Sequence, residues 1–122
     1  MKIRIKENSV RFRLTPTEVK RFCEEGSIEK TTQFSTTTFT YGVKQKQIET
    51  LQVDFNDNTI TLNVPVDFAK DWNGNDVVGL EHSEDLSDGS KFFLLLEKDF
   101  ACLDNTHEDQ SDKYPNPNAG KC

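Results

Sequence analysis

The feature that most constrains this chain is an internal echo at a spacing of 50 residues. Glu7-Asn8-Ser9-Val10 falls on Asp57-Asn58-Thr59-Ile60 without a gap, Phe12 falls on Leu62, Leu14 on Val64, Lys20 on Lys70 and Phe22 on Trp72. Chance alone gives short hairpins similar turns and alternation. Agreement of turn, strand, helix and aromatic positions in one register favours a unit used twice. The reading is that residues 3–34 and 53–84 form equivalent structures.

Each unit opens on strict alternation. Ile3, Ile5, Val10, Phe12 and Leu14 are apolar, and Lys2, Arg4, Lys6, Arg11 and Arg13 lie between them. Period-2 alternation on both sides of Glu7-Asn8 predicts a strand, a two-residue turn and a second strand. That turn sets Ile5 opposite Val10, Ile3 opposite Phe12, Arg4 opposite Arg11 and Lys2 opposite Arg13. Asn suits the positive φ that tight hairpin turns require. Val53, Phe55, Ile60, Leu62 and Val64 repeat the pattern around Asp57-Asn58.

Helix signals follow each hairpin. Thr15-Pro16-Thr17-Glu18 carries a capping residue, a proline for the first turn and a capping-box glutamate, and Gly26 supplies the stop. A shorter helix is expected over Asp67 to Trp72, ended by Asn73-Gly74. Ile28 to Phe34, Thr38 to Lys46, Val77 to Glu81 and Lys91 to Leu103 read as further strands. The continuous apolar run Phe92 to Leu96 suggests a central strand buried on both faces. The expected fold is α+β. It has one largely antiparallel sheet, curled toward a half-barrel, with two short helices placing Val19, Phe22, Phe68 and Trp72 against it. The two pseudo-repeats, about 1–50 and 51–103, make a single domain over 1–103, followed by a polar acidic tail over 104–122.

Leu14-Thr15-Pro16-Thr17-Glu18-Val19, the opening Met1-Lys2-Ile3-Arg4-Ile5-Lys6 and the segment Leu96 to Leu103 are distinctive together. With Glu108-Asp109-Gln110-Ser111-Asp112-Lys113-Tyr114-Pro115-Asn116-Pro117, the chain resembles a family of small Bacteroidota proteins of unassigned function. The resemblance implies a bacterial cytoplasmic protein and a tail that belongs to it. It brings no activity with it.

Bulk properties exclude several classes. No run approaches the ~20 apolar residues of a membrane helix, and Met1 to Val10 lacks the apolar stretch of a signal peptide. Three cysteines, Cys23, Cys102 and Cys122, are too few and too odd for a disulfide framework. A cytoplasmic location without a membrane partner is therefore expected. The net charge of -6 disfavours nucleic acid as a partner. The charge is uneven. Residues 1–50 carry 10 basic and 6 acidic residues, a balance of +4, against 5 and 15, or -10, for residues 51–122.

That asymmetry singles out the first hairpin. Lys2, Arg4, Lys6, Arg11 and Arg13 must share one sheet face, where like charges repel unless an anion or carboxylates intervene. They are the candidate anion-binding residues, weighed against a solvated face neutralised by acids of the second half. A weaker candidate is a metal site at Cys102, His107 and Asp109, against which stands the plainer role of a buried thiol beside solvated acids. No Gly-x-Ser-x-Gly, phosphate loop or positioned Cys–His pair is present, and no cofactor is expected. The leading expectation is a non-enzymatic module that binds an unknown protein or a small anionic ligand. The alternative is a small enzyme acting on an anionic, phosphorylated substrate at the basic face.

Overall fold

The computed structural model describes residues 1–100. Ten elements run in order: β1 (Lys2–Lys6), β2 (Ser9–Leu14), α1 (Pro16–Glu25), β3 (Ser27–Gln33), β4 (Thr38–Lys46), β5 (Gln52–Asn56), β6 (Thr59–Pro65), α2 (Val66–Trp72), β7 (Gly79–Asp85) and β8 (Lys91–Lys98). The α+β class, the two helices and the doubled strand–strand–helix–strand–strand unit all stand.

Local chemistry explains the elements. β1 and β2 pair antiparallel in the expected register, with Arg4 opposite Arg11 and Lys2 opposite Arg13. The hairpin turns force the left-handed region: Glu7 has φ +50°, Asp57 +50° and Asn58 +59°. Helix α1 begins with the predicted capping box. Glu18 N–H donates to Thr15 Oγ1 at 3.3 Å, and Thr15 N–H donates to Glu18 Oε1 at 2.9 Å. It ends at Gly26 (φ +89°), whose N–H bonds to the Phe22 carbonyl at 2.9 Å.

The strands divide between two sheets, where one was expected. The first has the order β1-β2-β8-β7 and the second β3-β4-β6-β5. Each is antiparallel at its flanks and parallel at its centre, where β2 pairs with β8 and β4 with β6. In each repeat a helix separates the two hairpins, and the second hairpin joins the other sheet. Dividing the strands this way lets both sheets bury one apolar face in the core that the repeats share. Each open edge is then completed by a hairpin of the other repeat. The two repeats are thereby interleaved about a pseudo-twofold axis.

Matching hydrogen bonds support the symmetry. Thr40 N–H to Asn58 O (3.0 Å) corresponds to Phe93 N–H to Asn8 O (2.9 Å), and Gln45 N–H to Gly26 O (2.8 Å) to Lys98 N–H to Val78 O (2.8 Å). The offset of 50 is not constant, however. Ser27 pairs with Lys44 as Gly79 pairs with Glu97, and Thr40 with Thr59 as Phe93 with Ser9. It therefore grows to 52 at β3/β7 and 53 at β4/β8. Helix α2 stops at Trp72 and a loop runs to β7, which accounts for the change to 52. Trp72 Nε1–H anchors that loop by donating to the Val77 carbonyl at 2.9 Å.

Apolar side chains of both repeats share one buried cluster, including Phe12, Phe22, Val43, Leu62, Trp72 and Leu96. Phe22 meets Trp72 edge-on, with ring centroids 6.4 Å apart. β8 is central but is not buried on both faces: Leu94 and Leu96 are buried while Phe93 is 50% exposed. Among the described residues no helix covers the outer face of its sheet, and Lys91 and Phe93 of β8 are exposed there.

Candidate functional site: the basic outer face of the first sheet

Alternation along β1 and β2 sends Ile3, Val10, Phe12 and Leu14 toward the core and turns Lys2, Arg4, Lys6, Arg11 and Arg13 outward. All five predicted basic residues therefore share one face. They are not equivalent. β8 runs beside β2, so its outward residues supply carboxylates at one end and apolar groups at the other.

Three of the cations are engaged. Arg13 Nε donates to Glu97 Oε1 at 2.6 Å, and Arg11 Nη1 lies 3.7 Å from the same oxygen. Lys2 Nζ lies 3.2 Å from Asp99 Oδ2. The acidic half thus neutralises one end of the face, as a solvated structural face would require. At the other end, Arg4 and Lys6 are exposed and make no ion pair among the described residues.

The open end is shaped as well as charged. Arg4, Lys6, Ser9, Arg11 and Leu95 line a shallow hollow of about 260 Å³. Beside it, Lys6, Ser9, Lys91 and Phe93 border a second, more open depression of about 460 Å³. Sequence reasoning missed Phe93, Leu95, Glu97, Asp99 and Lys91. The signal was there, since Phe93, Leu95, Glu97 and Asp99 keep period 2. The unbroken apolar run hid it.

The outer face of the second sheet is the pseudo-equivalent surface with its charges altered. Asp54 stands where Arg4 does, Lys44 where Glu97 does and Thr61 where Arg11 does. Gly42 replaces Leu95 and leaves a polar groove of about 440 Å³, bordered by Glu29, Lys44, Lys46 and Asp54. Asn63 Nδ2 donates to Asp54 Oδ2 at 2.8 Å across it. The β1–β2 hairpin alone gathers five outward cations, whereas the matching positions of β5–β6 hold Gln52, Asp54, Asn56, Thr61 and Asn63.

Other chemistry-bearing groups have structural roles. Burial pushes the Cys23 thiol up from its ordinary value, and its Sγ donates to the Ala69 carbonyl at 3.1 Å. A protonated, donating thiol is a poor nucleophile. Glu18 sits near the Met1 ammonium, which forms a short ion pair with it, and Lys30 Nζ lies 3.9 Å away. Burial raises its pKa, but the ammonium and the Thr15 backbone and hydroxyl outweigh this and leave it below 4.5, its ordinary value. Among the described residues no three His, Cys, Asp or Glu side chains gather as a metal site. Cys102, His107 and Asp109 lie outside the described residues.

No curated protein and no solved structure matches the chain. Residues 1–118 match the model of a family of unknown function, DUF7009, and the chain belongs to that family.

Proposed function

We propose that this protein is a non-enzymatic binding module whose first sheet receives an anionic group at Arg4, Lys6 and Arg11. The observation that carries the reading is the division of the basic face. Glu97 and Asp99 take up Lys2, Arg11 and Arg13 at one end, while Arg4 and Lys6, over a hollow at the other, have no ion-pair partner among the described residues. Two unpaired cations beside a paired guanidinium on a rigid sheet are pre-organised to hold phosphate or carboxylate. Phe93 and Leu95 add an apolar border, so the ligand combines negative charge with a small apolar part. The enzymatic alternative is less supported, because the carboxylates on this face are engaged by cations rather than poised as acid or base.

The sequence resemblance supports a bacterial, Bacteroidota source and a cytoplasmic setting. Among the described residues no helix is long and apolar enough to cross a membrane. The shared core of the two repeats supports reading 1–103 as one domain.

The test is a calorimetric titration with tripolyphosphate at low salt. The native chain should bind and lose affinity steeply as salt rises. The double variant Arg4→Ala/Lys6→Ala should bind at least fivefold more weakly, while Lys44→Ala/Lys46→Ala on the second sheet should not differ from native. Equal binding by all three proteins would remove the site.

A further inference from the structure

The two edges of the first sheet carry opposite charge. β1 ends the sheet on one side and β7 on the other, and among the described residues no strand pairs with the far edge of either. Away from the core, β1 presents Lys2, Arg4 and Lys6, and β7 presents Glu81, Ser83 and Asp85, all of them exposed. Lys2 Nζ lies 3.2 Å from Asp99 Oδ2, and Lys91 Nζ lies 3.2 Å from Asp85 Oδ1. Arg4, Lys6 and Glu81 have no ion-pair partner among the described residues. The second sheet differs, since the outward charges of its edge strands β3 and β5 are Glu29 and Asp54, both acidic.

The backbone of the two edges is complementary as well. In the first hairpin the two-residue turn makes Lys6 and Ser9 a hydrogen-bonded pair, and the alternation of antiparallel bonding then turns the N–H and C=O of Ile3 and Ile5 away from β2. On β7 the phase is set by Leu86 N–H to Ser90 O and Lys98 N–H to Val78 O, each 2.8 Å, so the free groups belong to Glu81, Ser83 and Asp85. β1 and β7 run in the same direction, because β2 and β8 are parallel and each edge strand is antiparallel to its neighbour. In a parallel ladder Ile3 would bond to Glu81 and Ser83, and Ile5 to Ser83 and Asp85. That register keeps the outer face of one sheet continuous with the outer face of the next.

We propose that a second copy of this chain docks edge to edge on the first, its β7 alongside β1, with Lys2 beside Glu81 and Lys6 beside Asp85. Charge selects this pairing from the others open to a sheet with two free edges. Two β1 edges would set cation against cation, and two β7 edges acid against acid. An antiparallel contact of β1 with β7 would join the outer face of one sheet to the inner face of the other. Charged side chains ordinarily protect an edge from any pairing, whereas here their signs oppose like pairs and favour one unlike pair. The contact joins different surfaces of the two copies, so each copy keeps one free edge of each kind and further copies can add. Five residue pairs bury far less than the ~1,200 Å² of a stable complex, so the association is weak and depends on salt.

Sedimentation of the full chain at low salt, up to concentrations approaching millimolar, tests this. The weight-average mass of native protein should rise with concentration past that of two copies, and should return to that of one copy in about 1 M salt, where screening acts within ~3 Å. The variants R4E/K6E and E81K/D85K, with native far-ultraviolet dichroism, should each associate about tenfold more weakly alone. Mixed in equal amounts they should associate again, because the native β7 of the first meets the native β1 of the second. Native protein that stays monomeric at low salt would overturn the proposal, as would association that stops at two copies or a mixture no better than its components. Tripolyphosphate separates this contact from the anion site. A native chain that binds it yet stays monomeric keeps the anion site and loses the edge contact. A native chain that associates, with complementing variants, but does not bind tripolyphosphate keeps the edge contact and loses the small-ligand site.

Discussion

Glu18 shows how one side chain holds together parts of the chain far apart in sequence. Its carboxylate closes the capping box at Thr15 and pairs with the ammonium of Met1. Because its pKa in the folded protein lies below its ordinary value, it contributes stability above the unfolded-state pKa and loses it as pH falls through the folded one. Glu18→Gln keeps the capping-box acceptor and removes the charge, so it should cost about 0.5–1 kcal/mol at pH 7, the scale of an acidic charge in the first turn of a helix. The gap between native and variant in chemical denaturation should close as the pH drops below about 4.5. A gap that is unchanged at pH 3 would mean the charge contributes nothing. Gly79 makes a second case. A Cβ built there would stand 2.0 Å from the Leu96 carbonyl oxygen, a backbone atom that cannot swing aside. Gly79→Ala should cost about 1–3 kcal/mol through overpacking, read as a drop in the denaturation midpoint. Its pseudo-equivalent is Ser27, so the close approach belongs to one repeat and escapes any comparison of the two in sequence.

Among the elements, the hairpins and the first helix were legible, because each rests on contacts only a few residues apart. Alternation and a two-residue turn fixed the Ile5–Val10 register, and Thr15, Glu18 and Gly26 marked the helix ends. The first turn carries its own strain. Glu7 holds φ +50°, where the Cβ of an L-residue crowds the following carbonyl oxygen and glycine, with no Cβ, does not. Glu7→Gly should stabilise the protein by about 0.5–1 kcal/mol, seen as a melting temperature higher by about 2–4 °C. A lower melting temperature would mean that the carboxylate matters more than the backbone. The later strands were less legible for a physical reason. A short apolar run reads the same whether one face or both are covered, and the cover comes from elements distant in sequence. Phe93 was thus read as core although it borders the basic face, and β7 was placed two residues early because the loop after α2 has no counterpart after α1.

Across the whole molecule, the interleaving of repeats was the part that sequence could not reveal, since nothing in a strand names its partner across 80 residues. It has a consequence for folding. In each sheet the inner strands come from different repeats: β2 with β8, and β6 with β4. A single repeat therefore holds two hairpins, each with an open edge, and none of the parallel pairs that complete the sheets. An isolated hairpin is at best marginally stable in water. The repeats should consequently depend on each other. Fragment 1–50 and fragment 51–122 should each be largely unfolded alone at micromolar concentration. Mixed in equal amounts, they should recover the far-ultraviolet dichroism of the intact chain. Trp72 is the only tryptophan and is fully buried against Phe22 of the other repeat, so its emission should shift to the blue only in the mixture. Fragment 51–122 showing native-like Trp72 emission as a monomer by itself would contradict the interleaved sheets. Self-association of either fragment at high concentration would not, because the pseudo-twofold lets a second copy of the same repeat stand in for the missing one.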